Sequence, residues 1–339
     1  MAIKIFYVKI LILLYHLKTI KMSKEWNGVM PAVFTWLKES KSGALEIDLD
    51  ATQKYAAGIL KVQGKGGSRM SGLVGSGTLG ENSYLSTKQR LSLLKALSEV
   101  AKEFNVPLIS GAAAETKEEL AKIVEELAKV GVDTVMVMPP KTKAVPTEEE
   151  MYAYYALSEA TAKDAGVTIM PYNNPEAAGY HAISTNLLKR LSVLPRVTAL
   201  KISTMDVSII ETLTLDNENL KVLAGVDTVT VHAGLAGASG GITGVGCIFP
   251  KASVTMQEYI TNGEWAEANK ISRALNSISY LDAQPLLLEY LKYAFGIHHN
   301  DAEGGLRTYG KKLTQQQIDD VRARYILAKE RLEVLDLID

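Results

Sequence analysis

The sequence predicts an α/β protein, a (β/α)8 barrel followed by a C-terminal helical extension. Short apolar runs alternate with amphipathic helical stretches over the first three quarters of the chain, and strand-like runs stop after Pro250. This alternation implies parallel strands joined by crossover helices, and eight repeats close most economically into a barrel. An open doubly wound sheet is the alternative. The eight runs are residues 28–34, 71–75, 107–111, 133–138, 168–172, 197–202, 220–224 and 241–246.

Helix start signals lie between these runs. Ser86 precedes a Lys-Gln-Arg-Leu segment, and Thr116 and Thr147 are each followed three residues later by glutamate. A hydroxyl residue with Glu or Gln three positions on is a capping box, which satisfies free N–H groups of the first helical turn. These signals predict helices after the second, third and fourth strands.

The chain beyond Pro250 has a helical pattern only. Periodic apolar residues predict helices at about residues 254–261, 264–281, 285–295 and 314–335. We therefore divide the chain into a catalytic barrel over residues 23–250 and a C-terminal helical domain over residues 251–339.

Residues 1–22 differ from the rest of the chain. They mix apolar side chains with lysines, and their longest uncharged stretch, residues 10–17, is far shorter than the ~20 residues that span a bilayer. No small-residue cleavage site follows an uninterrupted apolar segment, as a signal peptide would require. We predict an N-terminal extension outside the fold, no membrane partner and a cytoplasmic protein.

Composition narrows the function classes. The 339 residues carry 37 Lys and Arg against 38 Asp and Glu, so the net charge of −1 offers no electrostatic footprint for nucleic acid. Cys247 is the single cysteine and the five histidines lack ligand spacing, so neither a disulfide nor a metal site is expected. A small molecule is the expected partner.

Two reactive side chains end strand-like runs. Tyr172 closes the fifth run and Lys201 lies within the sixth. A buried lysine tends to lose its proton because desolvation disfavours the ammonium form. The resulting amine can attack a ketone to give a Schiff base, and a nearby phenol can move protons. The alternative is that Lys201 extends from a strand end to solvent and Tyr172 belongs to the core.

A glycine-rich loop follows the second strand. Residues 75–82 read Gly-Ser-Gly-Thr-Leu-Gly-Glu-Asn, and their glycines let backbone N–H groups approach a ligand closely. The hydroxyl of Thr78 lies beside these groups. A turn in which several backbone N–H groups converge is suited to bind a carboxylate.

These segments together resemble a known family. Residues 77–81 (Gly-Thr-Leu-Gly-Glu), residues 172–175 (Tyr-Asn-Asn-Pro), Lys201 and the glycine-rich residues 237–243 are similar to ordered landmarks of the dihydrodipicolinate synthase / N-acetylneuraminate lyase superfamily. The resemblance covers the chain from about Gly28 onward. It implies a (β/α)8 barrel with a C-terminal helical domain, a homotetramer built as a dimer of dimers, and no cofactor.

The resemblance also implies residue roles. Lys201 would form the Schiff base with a 2-oxo acid, Tyr172 would shuttle protons, and Thr78 would join that relay. The Gly-x-Asp of residues 225–227 also matches the family, and a structural role is expected for it. The substrate-binding residues would be Gly77, Leu79, Glu81, Asn173, Glu176, Ile242 and Thr243.

Three positions depart from the synthase pattern. Leu79 replaces the second threonine of the glycine motif, Lys141 occupies the place of a tyrosine that reaches across a subunit interface, and residues 176–178 (Glu-Ala-Ala) lack an arginine that grips the aldehyde substrate. Replacing that cation with alanine and an acid disfavours an anionic second substrate. We therefore expect a divergent member rather than a true dihydrodipicolinate synthase.

Three functions remain open at this stage. The first is a Schiff-base aldolase, dehydratase or hydratase-aldolase acting on a pyruvate-derived 2-oxo acid, such as a 2-keto-3-deoxy sugar acid, with 4-hydroxy-tetrahydrodipicolinate synthase as its alternative. The second is a sugar-phosphate aldolase that binds phosphate at residues 237–241, although residues 234–247 contain no Lys or Arg. The third is a catalytically silent paralogue that binds a 2-oxo acid.

Overall fold

Eight parallel strands form the centre of the molecule. The computed structural model describes residues 26–175, 181–215, 217, 219–279, 286–299 and 307–338. All eight predicted strands are present, so the predicted strand pattern is confirmed. The barrel strands are β1 (Gly28–Pro31), β4 (Leu73–Gly75), β5 (Leu108–Ala112), β6 (Thr134–Val137), β7 (Thr168–Asn173), β8 (Leu200–Ile202), β9 (Val222–Ala224) and β10 (Gly240–Thr243).

The strand order decides between a barrel and an open sheet. The strands pair in the order β1-β10-β9-β8-β7-β6-β5-β4. The two ends of this order then meet, because Val33 N donates to Val74 O at 3.0 Å and Ala32 forms a parallel bridge with Val74. The predicted (β/α)8 barrel is confirmed, and the open doubly wound sheet is wrong.

Helices cover the outside of the barrel. The capping boxes at Ser86, Thr116 and Thr147 are formed, and each begins a helix as predicted. Among the described residues, no helix is both long and apolar enough to cross a membrane. The α-helices are α1 (Leu49–Lys61), α2 (Thr87–Glu103), α3 (Lys117–Lys129), α4 (Glu148–Ala165), α5 (Thr185–Ser192), α6 (Ser208–Leu215), α7 (Thr230–Leu235), α8 (Pro250–Thr261), α9 (Trp265–Ser279), α10 (Leu287–His298) and α11 (Gln315–Val334).

A short β-hairpin was not predicted from the sequence. Strands β2 (Leu37–Glu39) and β3 (Leu45–Ile47) form an antiparallel hairpin between the first barrel strand and helix α1. Each strand has three residues, which is too short for an alternating pattern to be visible. The hairpin lies beyond the carboxyl end of β1, on the side of the barrel where catalytic groups are expected.

Strand alternation divides the side chains into two cores. One face of each barrel strand points inward and the other packs against the helices, because successive side chains point to opposite faces. The inner cluster fills the barrel below the site. It consists of Trp26, Met30, Val74, Ile109, Met136, Met170, Tyr172, Ala199, Leu223 and Ile242.

The four helices after Pro250 confirm the predicted helical extension. Helix α8 packs against β1, while α9 packs against α8 and α11. Phe295 of α10 anchors the extension, with ring centroids 5.3 Å from Phe34 and 4.5 Å from Tyr55. The division into domains at residue 250 stays a prediction, and the predicted extension of residues 1–22 lies outside the described residues.

Candidate active site

Lys201 and Tyr172 lie side by side near the carboxyl ends of two adjacent strands. They are direct partners in the register of β7 and β8, so both side chains point into the barrel. The Lys201 Nζ atom lies 4.2 Å from the centroid of the Tyr172 ring, and each residue is 8% exposed. The amine forms no hydrogen bond with any described residue, so its lone pair is available once the proton has left.

The phenol of Tyr172 has two hydrogen-bond partners. Its Oη lies 3.1 Å from Ser203 Oγ, and the side-chain Nδ2 of Asn174 donates to it at 3.0 Å. Ser203 is buried and lies two residues after Lys201 on the same strand face. Sequence reasoning missed both partners. The same-face spacing from Lys201 is the signal that would have found Ser203.

Gly225 provides space for the side chains of Lys201 and Ser203. A Cβ atom at this position would overlap the Oγ atom of Ser203 and lie 2.7 Å from Cε of Lys201. Such approaches are far closer than van der Waals contact. The glycine therefore lets Lys201 and Ser203 pack against the backbone of the neighbouring strand.

Gly225→Ala is expected to lower kcat by about 10–100-fold while the protein still folds, because the new methyl group displaces Lys201 and Ser203 from their present positions. Steady-state kinetics and thermal unfolding measure the two effects. Gly58→Ala on helix α1 is the matched control, since a Cβ there meets nothing within 4 Å. Wild-type kcat in Gly225→Ala would contradict this close packing.

Asp227 is a partly buried carboxylate beside the site. Its Oδ2 accepts hydrogen bonds from the backbone N–H groups of Gly244 and Val245, both at 2.9 Å. Burial raises the pKa of Asp227, against the opposing effects of Thr243, those two N–H groups and the positive charge of Lys201. The sequence predicts a structural role for residues 225–227. In the structure, Gly225 provides space for Lys201 and Ser203, and Asp227 fixes the loop after β10 through its two hydrogen bonds.

The glycine-rich loop after β4, residues 75–82, contributes fewer side chains to the site around Lys201 than the family resemblance implied. Thr78 is exposed, and its hydroxyl makes no hydrogen bond with a described residue, Tyr172 included. Leu79 is buried and packs near Gly244 and Leu291. Gly77 accepts a hydrogen bond from Asn82 N at 3.2 Å. The N–H groups of Thr78 and Leu79 donate to no described residue.

Glu81 faces the C-terminal helices. Its carboxylate forms an ion pair with Lys292 of α10 at 2.5 Å, and both side chains are almost fully buried. Its other oxygen accepts from Thr308 Oγ1 at 2.6 Å and Tyr309 N at 2.8 Å. Both carboxylate oxygens are thus committed to protein groups, and the ligand role expected for Glu81 stays a prediction that this contact set does not favour.

Two of the remaining predicted residues have hydrogen-bond partners within the protein. The Asn173 side chain accepts from Ile183 N at 3.0 Å, and Thr243 Oγ1 accepts from Gly246 N at 2.8 Å. Ile242 belongs to the inner cluster. Glu176 lies outside the described residues. Direct contact of these residues with substrate stays a prediction.

A cavity of about 510 Å³ lies outside the barrel, between helices α1, α8 and α10. Trp36, Tyr55 and His299 line it, together with Cys247. Burial raises the pKa of the Cys247 thiol to about 12, which keeps it protonated and unreactive at neutral pH. This cavity is separate from the strand ends that carry Lys201.

Comparison with known proteins identifies the family. The sequence profile of the Dihydrodipicolinate synthetase family matches residues 44–322. The chain belongs to this family. The predicted superfamily is thereby confirmed, and with it the assignment of the protein to the class I Schiff-base lyases.

Two relatives of this dihydrodipicolinate synthetase family member match it over nearly their whole length. The 4-hydroxy-tetrahydrodipicolinate synthase of Rickettsia bellii (strain OSU 85-389) is 26% identical over 304 residues, covering 88% of this chain and 97% of the relative. The enzyme of the same name from Archaeoglobus fulgidus is 24% identical over 317 residues, covering 92% and 99%. These identities are too low to transfer a substrate.

Solved structures share the fold. The sialic acid aldolase of Ruminococcus gnavus aligns with a TM-score of 0.76 at 23% identity, covering 91% of this chain and 99% of that one. Dihydrodipicolinate synthase DapA-2 of Bacillus anthracis aligns at 0.78 and 21% identity, covering 89% and 98%. A monomeric dihydrodipicolinate synthase variant aligns at 0.76 and 21% identity, covering 92% and 97%. The homotetramer implied by the resemblance stays a prediction.

Proposed function

We propose that this protein forms a Schiff base between Lys201 and a pyruvate-derived 2-oxo acid, and that it acts as an aldolase or dehydratase on a substrate such as a 2-keto-3-deoxy sugar acid. One observation carries the proposal. A largely buried amine without a hydrogen-bond partner among the described residues lies 4.2 Å from the ring of a phenol that is itself hydrogen-bonded. Lys201 is the nucleophile in this proposal and Tyr172 is the proton carrier.

The chemistry follows from these two groups. The neutral amine of Lys201 adds to the ketone carbon, and the resulting carbinolamine loses water to give an iminium ion. The iminium draws electrons from the neighbouring carbon, so a bond at that carbon or the next one can break. Tyr172 supplies and removes the protons that these steps exchange. When ionised, the Asp227 carboxylate interacts favourably with a positive charge at Lys201, which favours formation of the cationic iminium.

The glycine loop offers a place for the substrate carboxylate. The backbone N–H groups of Thr78 and Leu79 have no described acceptor, and consecutive free N–H groups in a turn form an anion-binding nest. A carboxylate held there would be oriented relative to Lys201, which is a proximity contribution to the rate. The side-chain hydroxyl of Thr78 lies in the same turn and adds a donor.

Trapping with borohydride tests the proposal. Incubation with pyruvate and borohydride is expected to attach a reduced adduct, and peptide mapping by mass spectrometry is expected to place it on Lys201. No adduct at any pH where the protein is folded would overturn the Schiff-base assignment and leave the catalytically silent paralogue. A screen of 2-oxo acids and 2-keto-3-deoxy sugar acids then separates aldol cleavage from dehydration.

Condensation of pyruvate with aspartate semialdehyde is expected to be negligible, although the curated relatives carry the synthase name. Lys141 stands where the synthases have a tyrosine, and residues 176–178 offer no arginine for an anionic aldehyde. A coupled assay with a dihydrodipicolinate reductase measures this reaction. Robust turnover would contradict the proposal and favour 4-hydroxy-tetrahydrodipicolinate synthase.

We also propose, from the family alone, that the protein forms a homotetramer.

A further inference from the structure

Tyr172 lies at the centre of a short chain of hydrogen bonds. Asn174 Nδ2 is a donor only, so it occupies one lone pair of the phenol oxygen. The phenol hydrogen then has a single described acceptor, which is Ser203 Oγ at 3.1 Å. We assign the order of donation as Asn174 to Tyr172 to Ser203, because this is the order that gives the phenol hydrogen an acceptor. The hydrogen of the Ser203 hydroxyl remains free to be donated onward.

Ser203 is placed to meet the reacting atoms. It lies two residues after Lys201, just past the end of strand β8, where its N–H donates to Asn173 O at 2.8 Å and continues the pairing with β7. Its side chain therefore points to the same face as that of Lys201. It is buried, and the missing side chain of Gly225 gives its hydroxyl space beside Lys201. The exposed hydroxyl of Thr78 makes no hydrogen bond with Tyr172, so it does not take this place.

We propose that Ser203 relays protons between Tyr172 and the Schiff-base intermediates, and that Asn174 is a positioning residue that stabilises the phenolate of Tyr172. This inference rests on the proposed function of Lys201. It replaces the relay through Thr78 that the family resemblance implied. It also accounts for proton transfer in a chain that has Lys141 where the synthases have a second tyrosine.

Protons and electron pairs are conserved over one cycle of the relay. When the carbinolamine loses water, Ser203 gives its proton to the departing hydroxyl and takes the proton of Tyr172, which becomes a phenolate. The N–H of Asn174 stabilises that negative charge. When the enamine forms, a C–H bond next to the iminium carbon breaks, its electron pair forms the C=C bond, and the iminium pair returns to nitrogen. The released proton passes through Ser203 back to Tyr172.

Exchange of the pyruvate methyl hydrogens for deuterium tests the relay without knowledge of the true substrate. In D₂O, the wild-type protein is expected to exchange these hydrogens, followed by proton NMR. Ser203→Ala is expected to slow the exchange by about 10²-fold or more, the scale of a lost acid–base group. The borohydride adduct on Lys201 is expected to remain, because the amine is intact. Ser192→Ala, which changes a serine at the end of α5 instead, is the matched control.

The pH dependence of hydrogen exchange in Asn174→Asp is a second measurement. It is expected to change if Asn174 stabilises the phenolate, and to stay the same if Asn174 has only a structural role. The substitution replaces the N–H donor with a carboxylate, which disfavours the phenolate. The alkaline limb of the exchange-rate profile is expected to shift to higher pH. Lys201 faces the same ring and also interacts with the new charge, so Asn174→Leu is the control. It removes the N–H donor without adding a charge, and it is expected to shift the alkaline limb in the same direction.

The outcomes separate the relay from the function on which it rests. Absence of an adduct in the wild-type protein would overturn the proposed function. A wild-type adduct and wild-type exchange in folded Ser203→Ala would overturn the relay alone. An unchanged pH profile in Asn174→Asp would overturn the role of Asn174. If Ser203→Ala does not fold, Ser203→Gly removes the same hydroxyl and takes its place in the exchange experiment.

Discussion

Lys201→Arg is expected to abolish both the borohydride adduct with pyruvate and catalytic turnover. Arginine keeps the positive charge and the length of the side chain, but its guanidinium does not lose a proton in proteins and cannot attack a ketone. The expected loss of kcat is at least about 10⁴-fold, which is the scale seen when a covalent nucleophile is removed. Trapping and steady-state kinetics on the best 2-oxo acid measure the two effects.

The control for Lys201→Arg is Lys270→Arg. Lys270 is exposed on helix α9 and pairs with Glu267 at the surface, so its substitution is expected to leave adduct formation and kcat unchanged. The fold of Lys201→Arg is checked by circular dichroism. A stable adduct on a different lysine in the folded variant would show that the assignment of the nucleophile is wrong.

Lys292→Met is expected to destabilise the fold by about 3–5 kcal/mol. The ammonium of Lys292 is 1% exposed and forms the ion pair with Glu81, so its removal leaves a buried carboxylate without its counter-charge. Burial lowers the pKa of Lys292, and the opposing effect of Glu81 offsets only part of that shift. Urea and thermal unfolding measure the loss. The double variant Glu81→Gln/Lys292→Met is expected to recover part of it, because the buried charge is gone.

A second ion pair provides a direct comparison. Lys270 and Glu267 are also 2.5 Å apart, but their side chains are 58% and 45% exposed. Lys270→Met is expected to change the free energy of unfolding by no more than about 1 kcal/mol, because solvent screens an exposed pair. Equal effects of Lys270→Met and Lys292→Met would show that burial does not determine the importance of the Lys292 ion pair.

The order of elements was readable from the sequence. All eight barrel strands and the capping boxes at Ser86, Thr116 and Thr147 depend on neighbours within a few residues, so local pattern predicts them. The hairpin of β2 and β3 was missed because its strands are too short to show a period. Closure between β1 and β4 also lay beyond local pattern, since it joins Val33 to Val74 across the chain.

The candidate site was predictable in part. The pairing of Tyr172 with Lys201 follows from consecutive barrel strands, and the structure makes them direct partners. Glu81 shows the limit of such reasoning. Its sequence neighbours place it in a ligand loop, whereas its carboxylate pairs with Lys292, which is 211 residues away in the chain.

The sequence by itself determined the eight alternating strands and helices, the helical extension and the presence of an amine and a phenol at successive strand ends, because periodicity and the order of elements are encoded locally. Closure of the strands into a barrel depended on the tertiary contact between Val33 and Val74. Only the tertiary structure decided which groups those two side chains contact. Ser203 and Asn174, rather than Thr78, surround the phenol, and the absent side chain of Gly225 admits Lys201 and Ser203. Such contacts depend on distances between separate strands, and one-dimensional spacing does not contain those distances.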